Sequence, residues 1–299
     1  MKTPLLLAPH DVHLLWGVEH WVVSARRGAA SRVENGKYAG WPFDKVVDAE
    51  GVAITGTKAA DGKVFPLLMK IIDAKQSLSL QVHPNAVVAP MLGGEPKSEA
   101  WYVISARPED AEIEDALTGT IMAGLKDDCE PEAFMRAVAE GTAADHVVQY
   151  RVVPGDMCYL PGGTVHAIGG GVKIFEVQET SETTYRLYDW NRKDVSGRPR
   201  ELKVAHGISS INWRVKGTKI HRRAIGTPYF TMRELDLEGR FLRALDTASF
   251  RAYFVVEGEL EVSCGGETVR AGENGAVVVP ADADEFVIAG KAKVIVTTL

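Results

Sequence analysis

Two short stretches hold residues whose types and spacing could do chemistry together. In "SLSLQVHPN" (77–85) strand-like alternation puts Gln81 and His83 on one face, two residues apart, immediately before Pro84. In "GDMCYLPGGTVHAIGGG" the order is Gly155, five residues, Pro161, one residue, Gly163, two residues, His166. That pattern reads as a turn, a strand, a tight Pro-Gly-Gly corner and a histidine opening the returning strand. Glycine permits the corner's backbone angles and a close approach to whatever His166 faces. A third stretch, "KSEAWY", places Lys97 and Glu99 at the start of a further strand. An amide, two imidazoles, a carboxylate and an amine are the raw material of a metal centre with a proton donor beside it.

The spacing around His166 resembles the second conserved motif of the cupins, which are double-sheet jelly rolls. The first cupin motif supplies H-x-H and a later glutamate. Here Gln81 stands at the first histidine, His83 at the second, and Glu99 follows at a longer interval. Closing a barrel would bring all of them to one point. Two imidazoles and one carboxylate with an open position suit catalytic zinc, with Gln81 as a fourth, neutral oxygen donor or as an orienter of His83. The same set could hold non-haem iron. Zn²⁺ with one carboxylate leaves a formal charge of about +1, enough Lewis acidity to polarise a substrate oxygen.

The elements that must position these residues are mostly strands. "VFPLLMKIID", "LSLQVH", "EAWYVIS", "HVVQYRVV" and "GVKIFEVQE" are rich in β-branched and aromatic residues, with Gly, Pro, Asp and Asn between them. One helical insertion is predicted near 129–142, with Pro131 at its start, Phe134, Ala137 and Val138 on one face and Gly141 as its stop. The expected fold is mostly β: two cupin-type jelly-roll units, a first domain over 1–220 carrying the helical insertion and a second over 221–299. The second contains "GENGAVVVPADADEF", in which Gly275, four residues and Pro280 keep the motif's outline. Acidic residues replace its histidine, so this domain reads as degenerate and metal-free.

The chain has 299 residues and a net charge of −6, which argues against broad binding to nucleic acid or an acidic membrane. Cys129, Cys158 and Cys264 form no C-x-x-C pair, so neither a disulfide framework nor a cysteine zinc site is expected. No apolar run reaches the roughly eighteen residues of a membrane span. The three-Leu run near the N-terminus is too short for a signal segment, and a cytoplasmic protein, monomer or homodimer, is expected.

Taken together, "WVVSARRG", "NGKYAGW", "FPLLMKIIDAKQSLSLQVHPN", "KSEAWYVI", "YLPGGTVHAI" and "QETSETTYRLYDWNR" resemble, in order, the type I mannose-6-phosphate isomerases in their short bacterial form. The resemblance implies zinc-dependent interconversion of mannose 6-phosphate and fructose 6-phosphate through a cis-enediol. It implies His83, Glu99 and His166 as metal ligands, Gln81 as a further ligand, and Arg186 in the active site. In "KSEAW", Ser98 stands where relatives often have Thr, Pro or Ala, at what reads as the solvent side of the ligand.

From the residues themselves, Arg186 can clamp an enediolate oxygen or the phosphate with its planar fork. Lys97 is a candidate proton shuttle or phosphate partner, the alternative being a solvated surface charge. In "TYRLYDW", Arg186 is expected to face the cavity, with Tyr188 as a further substrate-lining residue and Trp190 as packing. "GGG" at 169–171 reads as a turn, since no helix follows it to make a phosphate loop. Two other readings stand beside the isomerase: an iron-dependent cupin oxygenase and a non-catalytic sugar-binding cupin. The Q-x-H pair argues against the first, and retention of Arg186 and the ligand set against the second.

Overall fold

The structure, a computed structural model, describes residues 2–59, 62–106, 117–194, 196–244 and 247–299. Its strands begin with β1 (Leu5–Ala8), β2 (His10–Leu14), β3 (Gly17–Val23), β4 (Arg32–Val33), β5 (Leu67–Ala74), β6 (Leu80–Val82) and β7 (Glu99–Ala106). There follow β8 (Thr120–Leu125), β9 (Val147–Arg151), β10 (Asp156–Leu160), β11 (His166–Ile168), β12 (Val172–Glu179) and β13 (Tyr185–Tyr188). The remainder are β14 (Ile220–Arg222), β15 (Ala224–Gly226), β16 (Thr231–Ala244), β17 (Arg251–Cys264), β18 (Glu267–Ala271), β19 (Ala276–Val279) and β20 (Glu285–Thr298). Helices are α1 (Phe43–Glu50), α2 (Val52–Thr55), α3 (Pro131–Glu140) and α4 (Val204–Ser210).

The chain forms two compact units, and neither is one continuous stretch. A mid-chain unit comprises His13–Glu19 and Ile72–His221; a terminal unit comprises Met1–Val12, His20–Ile71 and Arg222–Leu299. The division differs from a contiguous 1–220 domain for a physical reason. Strand β1 pairs antiparallel with β19, Leu5 opposite Val278, and with β4 on its other edge. Its alternate residues Leu5 and Leu7 are buried. Such a pairing costs loop closure and leaves no local sequence mark.

In the mid-chain unit every strand of a seven-stranded sheet contributes residues, in the order β14-β10-β7-β12-β5-β3-β2. A five-stranded sheet runs β13-β6-β11-β8-β9. Ile72, Trp101, Val103, Cys158 and Ile174 of the first sheet pack with Ile121, Ala123 and Ile168 of the second in one buried cluster. The other face of the five-stranded sheet presents Leu80, Val82, Met122 and Leu187 to Phe134 and Val138 of α3.

Helix α3 forms as its residues dictate. Pro131 sits in the first turn, where its missing N–H costs nothing, and Phe134, Ala137 and Val138 bury one face. Gly141, at φ 76°, ends the helix by returning its N–H to the carbonyls of Ala137 and Val138. Full burial of Phe134 stabilises by about 2–3 kcal/mol. Helices α1, α2 and α4 lie outside the sequence expectation; each has eight residues or fewer, too short for a clear 3.6-residue period.

In the terminal unit one sheet runs β15-β16-β20-β17-β19-β1-β4, with β18 on β17. Its interior is apolar: Val255, Leu260, Val262, Val277, Phe286, Ile288 and Val294 form one cluster. Among the described residues, no helix is long and apolar enough to cross a membrane.

Candidate metal centre and active site

The five-stranded sheet carries one side of the site as a row. His166 on β11 stands opposite Gln81 on β6, and Gln81 stands opposite Arg186 on β13. Directly opposed residues share a face, so the imidazole, amide and guanidinium project together. His83 follows two residues after Gln81 on the same face. The seven-stranded sheet supplies Glu99 from the start of β7, opposite Leu160 and Gln178.

The Pro-Gly-Gly corner stitches these segments together. Gly163, at φ 98°, donates its N–H to the His83 carbonyl at 2.7 Å. The Gly162 N–H donates to the Ser98 hydroxyl at 3.2 Å. A side chain on Gly162 would put its Cβ 2.7 Å from the Asn85 Cα, so only glycine fits. The corner therefore grips the chain beside both His83 and Glu99 while it delivers His166. Ser98 is buried and bonded, not on the solvent side, because the corner occupies that space.

His83, Glu99 and His166 are each at most 2% exposed, and their ligand atoms all lie within 4.8 Å of one another. Nε2 of each histidine lies 3.4 Å from a different Glu99 oxygen. Each Nδ1 donates to a backbone carbonyl, His83 to Thr183 at 2.8 Å and His166 to Thr164 at 2.9 Å. Those bonds select the tautomer that leaves both Nε2 lone pairs facing Glu99. Neither Glu99 oxygen has a hydrogen-bond partner among the described residues. Lys97 stands 3.1 Å from Glu99 Oε2, close enough to be an ion pair but not aimed as a hydrogen bond.

Electrostatics agree with this arrangement. Burial pushes His83 down to about 3, with the Lys97 ammonium adding to the effect and Glu99 opposing it. Burial lowers His166 as well, against the pull of Glu99. For Glu99 burial acts upward, yet Lys97, His83 and His166 together hold its carboxyl well below the ordinary range. Two neutral imidazoles and an ionised carboxylate whose oxygens lack hydrogen bonds are a donor set built for a divalent cation. The residues fit the metal that the sequence implies.

Gln81 donates its amide N–H to His166 Nε2 at 3.2 Å, while Ser79 holds the amide oxygen at 3.2 Å. Lys97 is no surface charge: it is 5% exposed, donates to His83 Nε2 at 3.1 Å and lies 4.0 Å from Glu176 Oε1. Arg186 is half-buried, and its Nε has no hydrogen-bond partner among the described residues. Burial and then Arg200 draw its pKa down, with Asp189 countering. Tyr188 is not brought to this face. A register shift between Arg186 and Tyr188 turns it to stand opposite Leu80, and it packs with Trp190 and the helix-covered cluster. Trp190 is packing, its indole donating to the Leu78 carbonyl at 2.7 Å.

Two buried polar residues of the site escaped sequence reading. Glu176 and Gln178 lie on β12 opposite Trp101 and Glu99. The Trp101 indole donates to Glu176 Oε2 at 2.9 Å and meets His166 edge-on at 5.6 Å. The Gln178 amide N–H donates to the carbonyls of Glu179 and Ser181. In "VKIFEVQE" the period-two placement of Glu176 and Gln178 beside Ile174 was the available signal.

Comparison with known proteins bears on this geometry. Residues 17–121 match the family model for the phosphomannose isomerase type I catalytic domain, and residues 220–299 match the mannose-6-phosphate isomerase cupin domain. A mannose-6-phosphate isomerase of Streptococcus mutans is 33% identical over 273 residues, covering 88% of this chain and 82% of that protein. Mannose-6-phosphate isomerase ManA of Bacillus subtilis is 32% identical over 294 residues, 94% of this chain and 89% of that protein. The crystal structure of a mannose 6-phosphate isomerase from Bacillus subtilis superposes with a TM-score of 0.85 at 26% identity, over 100% of both chains. With one buried His–Glu–His face, two cupin-type sheets and this extent of likeness, the chain belongs to the type I phosphomannose isomerase family of enzymes.

Proposed function

We propose that this protein is a zinc-dependent isomerase that interconverts mannose 6-phosphate and fructose 6-phosphate through a cis-enediol. The observation that carries the reading is the row His166–Gln81–Arg186 facing buried Glu99 and Lys97. The curated relatives are named for this activity. His83, Glu99 and His166 would hold the zinc ion, with the Gln81 amide turning its oxygen inward to join them. When bound, the ion supplies Lewis acidity that favours negative charge on the sugar's O1 and O2.

The chain's own residues do the rest. A proton leaves C2 of the aldose while its carbonyl oxygen takes one up, giving the enediol. Return of a proton to C1 and loss of one from O2 gives the ketose. Lys97, held between His83 and Glu99, is the donor placed to protonate or hydrogen-bond a developing enediolate oxygen. Arg186, opposite Gln81, keeps an Nε–H without a partner among the described residues, and its fork would take a phosphate or enediolate oxygen. Trp101 and the buried aliphatic wall exclude water from the intermediate. Three free, buried cysteines support the reading of a reducing, cytoplasmic setting.

The test is a coupled assay of mannose 6-phosphate turnover with metal analysis of the same sample. Chelation should abolish turnover and zinc should restore it. Fully metallated protein that binds the sugar phosphate without converting it would sink the proposal.

A further inference from the structure

The terminal unit lacks the histidines of a metal centre, yet its barrel is not merely filled. A cavity of about 450 Å³ is lined by Arg233, Arg243, Arg251, Tyr253, Phe286 and Val296, among others. We propose that this cavity binds a small phosphorylated metabolite, a phosphate monoester, at a site separate from the metal centre.

The register explains how the charges converge. Arg233 stands opposite Val296 and Val296 opposite Tyr253, one row across β16, β20 and β17. Arg251 lies two residues before Tyr253 and so shares its face. Arg243 stands opposite Phe286, at the far end of the β16–β20 pair, and lines the same cavity.

Among the described residues, none of the three guanidiniums has an ion-pair partner, whereas other arginines of the same unit do. Arg223 pairs with Glu234 and Asp236, and Arg270 pairs with Glu261. Arg243 stacks on the Phe241 ring at 5.1 Å instead. The Tyr253 hydroxyl is pushed up to about 12, chiefly by burial, with Arg251 and Arg243 pulling the other way. Both guanidiniums line the same cavity as Tyr253.

A chain of net charge −6 does not gather around a concavity three arginines that lack ion-pair partners among the described residues as a by-product of a basic composition. Guanidinium forks match phosphate oxygens two at a time, and a phosphate monoester brings roughly −1.5 to −2 charges at neutral pH. Phe286 and Val296 offer an apolar wall for the rest of the molecule. The volume lies within the roughly 300–1,000 Å³ typical of small-molecule sites.

The experiment is isothermal titration of the full chain with inorganic phosphate at constant ionic strength. It compares the unsubstituted protein, the double variant R233Q/R251Q, and R186Q. Phosphate binding should weaken about tenfold or more in R233Q/R251Q, while a component that survives R186Q reports the terminal unit. A circular-dichroism spectrum and urea midpoint retained in R233Q/R251Q would show that the fold is intact. Arg243→Gln, at an exposed position, serves the same purpose if the double variant does not fold. Binding unchanged by the terminal-unit substitutions, or lost entirely in R186Q, overturns the proposal. The probe is phosphate and the readout is binding, so this result is independent of whether the protein turns over mannose 6-phosphate.

Discussion

In the mid-chain unit the strand returning from the Pro161–Gly163 corner carries His166 inward; in the terminal unit the strand returning from Pro280 carries Phe286 there. The outlines match, but the interiors differ in kind. The first encloses His83, Lys97, Glu99, His166, Glu176 and Gln178, each 5% exposed or less. The second packs valine, leucine, isoleucine and phenylalanine. One barrel gains its stability from apolar burial. The other forgoes part of that gain and depends on charges that neutralise one another, where losing one partner strands the next.

Substituting Glu99→Gln should produce the largest change. It removes a proposed metal ligand and the counterion of buried Lys97 at once. Metal content should fall to background, turnover should drop by at least about a hundredfold, and urea denaturation should show a loss of about 3–5 kcal/mol. Stoichiometric metal in this variant would mean the histidines alone define the site.

Phe286→Ala in the terminal unit should also cost about 3–5 kcal/mol, but turnover per folded molecule should stay unchanged. A fall in turnover at constant folded fraction would erase the contrast between a unit that carries the isomerisation and one that does not.

A gentler probe is pH, applied to metal-stripped protein. His83 sits near 3 in the fold and near its ordinary value of about 6.5 once unfolded. Between those values the unfolded chain binds more protons, so stability is complete above about 6.5 and declines as pH falls toward 3. Urea midpoints should show that slope, and His83→Gln should flatten it. Equal slopes in the two proteins would remove His83 from the account.

The smallest effect belongs to Tyr188→Phe. With its ring turned to the helices, stability should shift by no more than about 0.5 kcal/mol, and kcat/KM should hold. A drop of tenfold or more would return Tyr188 to the substrate.

What could be read from the sequence follows from how local each signal is. The Gln81–His83 pair is a strand alternation, and the Gly155–His166 corner is a run of fixed spacings; both survive without knowledge of the fold. Helix α3 announces itself by Pro131 and Gly141 at its ends. Tyr188 defeats the same logic, because one register shift inverts the face of every residue beyond it. Glu176 looks like one more polar residue of "VKIFEVQE" until Trp101 is placed opposite it. The helices over residues 43–55 leave no comparable mark, because two helices that short carry little period of their own.

The pairing of β1 with β19 has a consequence in time. Leu6 stands opposite Val277, so about 270 residues must leave the ribosome before the first strand has its β19 neighbour. At about 5–20 residues per second, that is a wait of roughly 15–50 seconds. Meanwhile the mid-chain unit, complete at His221, can close around its buried His–Glu–His group. The segment made first is thus among the last to be locked in. Until then Leu5 and Leu7 belong to an open strand edge exposed to any other chain nearby.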